Sequence, residues 1–107
     1  MKYVDPKDVK SPKSQISGTP KIIYDGGNGD NAGDTGFSLA RITWGGKETL
    51  AIRWNVSHAE WDNQSKVDEK TICKGNPTSR GYPTWFVIPE QIFDPSSAPW
   101  KDIMKNL

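Results

Sequence analysis

The sequence holds one histidine, His58, and one cysteine, Cys73. Acid–base catalysis by a histidine needs a partner that orients the ring, and a catalytic cysteine needs a base beside it. His58 lies in the polar run SHAEWDNQ with no serine motif nearby, and Cys73 stands alone in KTICKGN. The first reads as a solvated or capping residue, the second as a passive thiol. No Gly-rich loop followed by Lys and Ser or Thr is present to cradle a phosphate. The run GGNGDN at 26–31 resembles one imperfect copy of a Gly-Asp calcium repeat, with Asn31 where an Asp belongs and no stacked neighbour. Asp25, Asp30 and Asp34 are oxygen donors suited to a hard cation, yet a solvated, turn-rich loop accounts for them as well. The expectation is a chain that is not an enzyme, with no catalytic residue, metal or cofactor.

Binding chemistry is better supplied. Five tryptophans are many for 107 residues, and an aromatic ring serves either as core or as a stacking and anchoring surface. In FSLARITWGGKETLAIRWNV (37–56), two alternating runs flank Gly45-Gly46, the composition of a two-residue hairpin turn with positive φ. That turn sets Trp44 opposite Lys47, Leu39 opposite Ile52 and Phe37 opposite Trp54. Alternation then sorts the side chains onto two faces. Phe37, Leu39, Leu50, Ile52, Trp54 and Val56 share the face expected in the core. Ser38, Ala40, Ile42, Trp44, Lys47, Thr49, Ala51, Arg53 and Asn55 share the other, mixed face. Trp44 beside Lys47 and Arg53 suits base stacking with phosphate contacts, or the anchoring of a protein partner. Trp54, Trp85 and Trp100 are expected buried, Trp44 and Trp61 exposed.

The remaining segments position this hairpin. Residues 1–19 are polar, contain Pro and Lys, and show no apolar periodicity, so a flexible N-terminal arm is expected. Residues 20–107 then form a single compact domain. PKIIYD (20–25) reads as a strand, and GGNGDNAGDTG (26–36) as a loop. Ser57 and Glu60 fit a capping box for a short helix around 58–66. PTWFVIP (83–89) reads as a core strand closed by prolines, with SRGY (79–82) before it placing Arg80 and Tyr82 at a rim. Ser97 is a candidate N-cap, and Trp100, Ile103, Met104 and Leu107 fall at i, i+3, i+4 and i+7. That stripe makes a C-terminal amphipathic helix, covering its own sheet or a partner subunit. The order of elements predicts an α+β fold: a small antiparallel β-sheet with a β-hairpin core and one closing helix.

Composition narrows the partners. No apolar run approaches the roughly 20 residues that span a membrane, the N-terminus lacks the apolar block of a signal peptide, and a lone cysteine forms no internal disulfide. A cytoplasmic protein is expected. The net charge of +1 is uneven: residues 1–21 carry five lysines against two aspartates, leaving −2 on residues 22–107. Nucleic-acid binders show a basic footprint, and here it is local or confined to the arm.

LARITWGGKETLAIRW resembles the central hairpin of the transcriptional positive-cofactor family, the Whirly-like single-stranded-DNA-binding domains. The resemblance rests on the Gly-containing turn, the Ile52-Arg53 pair, Arg80-Gly81, and Pro89-Glu90-Gln91 ahead of an amphipathic helix. It covers residues 37–107 and departs from the family in the long YPTWFV connection, the DPSSAP spacer and the short helix. It implies a curved sheet whose open face binds single strands, helices that pair two subunits as a homodimer, and a site of Trp44, Lys47 and Arg53 with Arg80 and Tyr82 at the rim. The functional expectation is thus a non-enzymatic binding domain for single-stranded nucleic acid. Its rival is a small protein-interaction module of accessory, inhibitor or immunity type.

Overall fold

In the computed structural model, which describes residues 1–107, Gly45 and Gly46 take φ of 58° and 82°. This left-handed backbone is open to glycine without a Cβ clash. Their turn joins β2 (Phe37–Trp44) to β3 (Lys47–Trp54), in the register expected from a two-residue loop: Trp44 faces Lys47 and Phe37 faces Trp54. β1 (Ile16–Asp25) pairs with β2, and β6 (Phe86–Ile88) with the far edge of β3, giving a four-stranded antiparallel sheet in the order β1-β2-β3-β6. A two-stranded ribbon of β4 (Thr78–Ser79) and β5 (Tyr82–Pro83) turns through Arg80 and Gly81, at φ of 52° and 80°. The fold is α+β.

Helical structure is sparse. The capping segment forms a 3₁₀ helix over His58–Asp62 followed by α1 (Gln64–Val67), two short pieces where one helix is expected. After β6 come a 3₁₀ turn (Glu90–Phe93) and α2 (Ala98–Asn106). Ser97 caps α2, its Oγ accepting from Trp100 N at 3.1 Å. No helix is long and apolar enough to cross a membrane.

Two expectations are corrected, and they share a cause. Residues 1–19 are not a loose arm. Tyr3 bridges to Cys73, Pro6 and Val9 are buried, and Ile16 opens β1. The buried face of the sheet is also the opposite one: Ser38, Ala40, Ile42, Ala51, Arg53 and Asn55 point inward, where Val9, Ile16 and Trp85 meet them. The cover on this face is mostly irregular chain, with one 3₁₀ turn (Pro6–Asp8) and the short β4–β5 ribbon as its regular parts. Small residues such as Ser38, Ala40 and Ala51 let its backbone approach closely, and polar residues satisfy the carbonyls and amides it cannot pair internally. Trp85 Nε1 donates to Val9 O at 2.8 Å, Thr84 Oγ1 donates to Ser11 O, and Gly45 N donates to Gln15 O at 2.7 Å. The same residues read as polar, and therefore exposed, are the ones an irregular cover requires.

Docking of residues 1–15 is tested through Val9. Truncation to Ala removes a fully buried side chain, so Val9→Ala should lower unfolding free energy by about 1–2 kcal/mol. Urea denaturation followed by tryptophan fluorescence reads this, and a loose arm would show no change.

Candidate functional site

Arg53 sits at the centre of the buried face. Its guanidinium donates to the carbonyls of Thr84 and Lys74, and at 3.4 Å to that of Pro77, while Nε has no partner. The cation stands 6.0 Å from the Trp85 ring centroid. Burial pulls its pKa down to about 10, against a smaller upward pull from Glu60, so it stays charged at neutral pH. Arg53 is therefore a brace for the segment 74–84, and the expected phosphate contact is corrected: three carbonyls occupy a side chain only 3 % exposed. Trp44 is half-buried against the Val9–Ile16–Trp85 cluster rather than free to stack.

Glu60 braces the neighbouring loop. Oε1 accepts from Ser57 N and Gly75 N, both at 2.9 Å, and Oε2 accepts from Lys74 N at 2.8 Å and Lys66 Nζ at 2.7 Å. Burial alone would raise this carboxyl. The Lys66 hydrogen bond and the three amides outweigh it and bring the pKa down to about 2. Gly75 has φ of 68°, and a Cβ there would lie 2.0 Å from Trp54 O. The loop is thus fixed against the end of β3, and it carries Trp61 and Asn76 to the sheet edge.

On the opposite face, Leu50 and Val56 are buried as expected, but Phe37, Leu39 and Ile52 are only half-buried and Trp54 is exposed. Tyr24, Phe37 and Trp54 form an aromatic row, with centroids 5.1 Å apart for Tyr24–Phe37 and 6.2 Å, edge to face, for Phe37–Trp54. Trp54 is 53 % exposed and Phe86 62 %, while Leu39 and Ile52 are half-buried between strands. Phe37, Ile52, Arg53, Trp54, Asn76, Pro77 and Phe86 line a cleft of about 420 Å³. A second hollow of about 310 Å³, between Trp54, Val56, His58, Trp61 and Asn76, adjoins it across Trp54. Together they make one apolar trough. Its other end is closed where Glu90 of the 3₁₀ turn pairs with Arg41 and Leu50 and Ile88 are buried. Sequence reasoning missed Trp54 and Phe86 because it filled the core with the more apolar face; the shortage of apolar segments to cover that face was the available signal.

The other expected site residues lie at the hairpin-turn end. Arg80 and Tyr82, both exposed, border a groove of about 650 Å³ with Ser79 and residues 11–15, among them Lys13. Gln15 bonds the turn at Gly45 and Ile16 pairs with Trp44, so Lys47 and Trp44 stand at the same end. Four of the five residues gather loosely there; Arg53 does not. Asp25, a candidate for cation binding, is engaged in the fold: it accepts from Tyr3 Oη at 3.0 Å, Asn55 Nδ2 at 3.1 Å and Gly27 N at 3.1 Å. No group of three or more His, Cys, Asp or Glu side chains gathers as a metal site.

Comparison of the chain with protein-family models, with curated proteins and with solved structures returned no match. The likeness to the positive-cofactor hairpin rests on its short motifs alone.

The Glu60 clamp has a pH signature. Its folded pKa of about 2 lies below the ordinary 4.5, so its stabilisation is present above pH 4.5 and is lost as pH falls towards 2. Glu60→Gln should be less stable than the parent at neutral pH, and the gap should close across that window. Denaturant midpoints at pH 6, 4 and 2.5 measure it.

Proposed function

We propose that this chain is a non-enzymatic protein-interaction module that docks a partner through the open aromatic face of its sheet. The exposure of Trp54 and Phe86 around a formed apolar trough carries this reading. Monomeric proteins rarely leave contiguous apolar surface of this kind without a use. Tryptophan in a sheltered hollow is also the residue type that most often dominates binding energy. The surroundings suit a protein better than a nucleic acid. The Arg53 guanidinium is buried behind the sheet, Arg41 on the open face is paired with Glu90, and Lys21 beside it on β1 does not line the trough. Stacking platforms for single strands add free cations along the backbone track. A cytoplasmic setting agrees with Cys73 as a buried thiol, whose pKa burial raises.

A second reading keeps single-stranded nucleic acid as ligand but moves it to the groove at the hairpin-turn end. Lys13 and Arg80 line that groove with Tyr82 and no carboxylate. Tyr82, 64 % exposed, offers a stacking ring.

Tagged bait proteins separate the two readings. Wild type should retain a stoichiometric protein from native lysate, a second copy of this chain included. The Trp54→Ser/Phe86→Ser variant should lose it with a cost of about 2 kcal/mol or more, roughly 30-fold in affinity. Lys13→Glu/Arg80→Glu should retain it. The opposite pattern, with oligonucleotide bound at low salt and released steeply as salt rises, would establish the second reading instead.

A further inference from the structure

Two apolar surfaces of this chain are left without a partner inside it. One is the trough flanked by Phe86, Trp54 and Trp61. The other is the stripe of α2: Ile103 is 41 % exposed, Met104 45 % and Leu107 90 %, with Trp100 half-buried. Within the chain, α2 packs mainly on the 3₁₀ turn that precedes it. We propose that the trough receives α2 of a second copy, and that two copies exchange helices about a two-fold axis. The proposal rests on the reading of the open face as a docking surface and names its occupant.

Four observations converge on this occupant. The stripe has the i, i+3, i+4, i+7 spacing by which an amphipathic helix seats in an apolar groove. Charge is compatible as well: Lys101 borders the stripe, and exposed Asp30 and Asp62 are the chain neighbours of Gly29 and Trp61, which approach each other at that end of the trough. The connection between β6 and α2 is braced in its present direction. Ser97 Oγ donates to Gln91 O at 2.6 Å, and Asp94 accepts from Ser96 N at 3.0 Å and Ser96 Oγ at 2.7 Å. Folding α2 back onto its own sheet would break these bonds; seating it on a neighbour breaks none. Finally, the molecule is 46 Å long with a radius of gyration of 15.1 Å. A compact chain of this length would have about 13 Å, so the single copy is more extended than a completed monomer. The contact is self-complementary, as two-fold closure requires.

Sedimentation equilibrium of the full chain should give twice the chain mass, falling towards one on dilution. Ile103→Glu/Met104→Glu alters exposed residues and should weaken self-association roughly tenfold or more, with circular dichroism confirming an intact sheet. Cross-linking gives an independent readout. A Phe86→Cys chain mixed with an Ile103→Cys chain should yield a covalent heterodimer with a short bismaleimide, while buried Cys73 stays unreactive. A dimer that survives Ile103→Glu/Met104→Glu would overturn the proposal. So would cross-linking within a single Phe86→Cys/Ile103→Cys chain at high dilution, which would seat α2 on its own sheet. A wild-type monomer would overturn it too. If that monomer still captures a different protein through Trp54 and Phe86, the docking reading survives and only the second copy is excluded; if Trp54→Ser/Phe86→Ser changes nothing, both fall.

Discussion

The buried guanidinium of Arg53 is the interaction on which the rest of the molecule depends. A sheet buries a face only if something covers it, and for that task this chain supplies no α-helix and no more than a 3₁₀ turn and a two-stranded ribbon. It uses residues 1–15 and 73–85, segments in which, apart from the short β4–β5 ribbon and the Tyr3–Cys73 bridge, amides and carbonyls have no ladder to join. Arg53 ties down Lys74, Pro77 and Thr84, Glu60 gathers the amides of Ser57, Lys74 and Gly75, and Asn55 reaches Gly27 O at 2.7 Å. Each bond compensates a backbone group that would otherwise be buried unpaired, a cost of about 1–3 kcal/mol apiece. The core is held by polar side chains acting on backbone as much as by contact between hydrocarbons.

That construction explains where sequence reading succeeds and where it inverts. The hairpin register follows from Gly45-Gly46 because a two-residue turn admits one pairing, and α2 follows from Ser97 and the spacing of Trp100, Ile103, Met104 and Leu107. These are local rules, and local rules are written in adjacent residues. Which face of the hairpin is inside depends on what lies across it, and the covering residues stand 22 or more positions before the hairpin or 19 to 31 after it. Hydropathy favours Phe37, Leu39, Ile52 and Trp54 for the interior, but the cover is too polar and irregular to pack on them. Ser38, Ala40, Ala51 and Asn55 fit it instead. Arg80 and Tyr82 at a rim were legible, because Arg80-Gly81 marks a turn by composition.

The inversion also gives the site its character. Sorting the bulky apolar side chains outward leaves an aromatic row supported from behind by a rigid, hydrogen-bonded layer. Phe37 and Trp54 are fixed edge to face, and the end of β3 is pinned by Gly75 and the Glu60 loop. On the proposed docking reading, a partner would meet side chains whose orientations are already set, which reduces the entropy lost on association. The same arrangement leaves the sheet one layer thick over the trough, so that under the proposed docking the partner would also complete the fold.

The bridge between Tyr3 and Cys73 carries a consequence for how the molecule is made. Residues 3–11 leave the ribosome well before the groups that hold them, at Cys73, Thr84 and Trp85, which are synthesised some 70 positions later. Such long-range closure is slow to reward the chain entropy it consumes. Until then the opening segment must wait in water without adhering to anything, and Lys2, Lys7, Lys10 and Lys13 equip it to do so. The polarity that makes this stretch resemble a tail is what lets a segment made early stay in water until its late-made partners arrive.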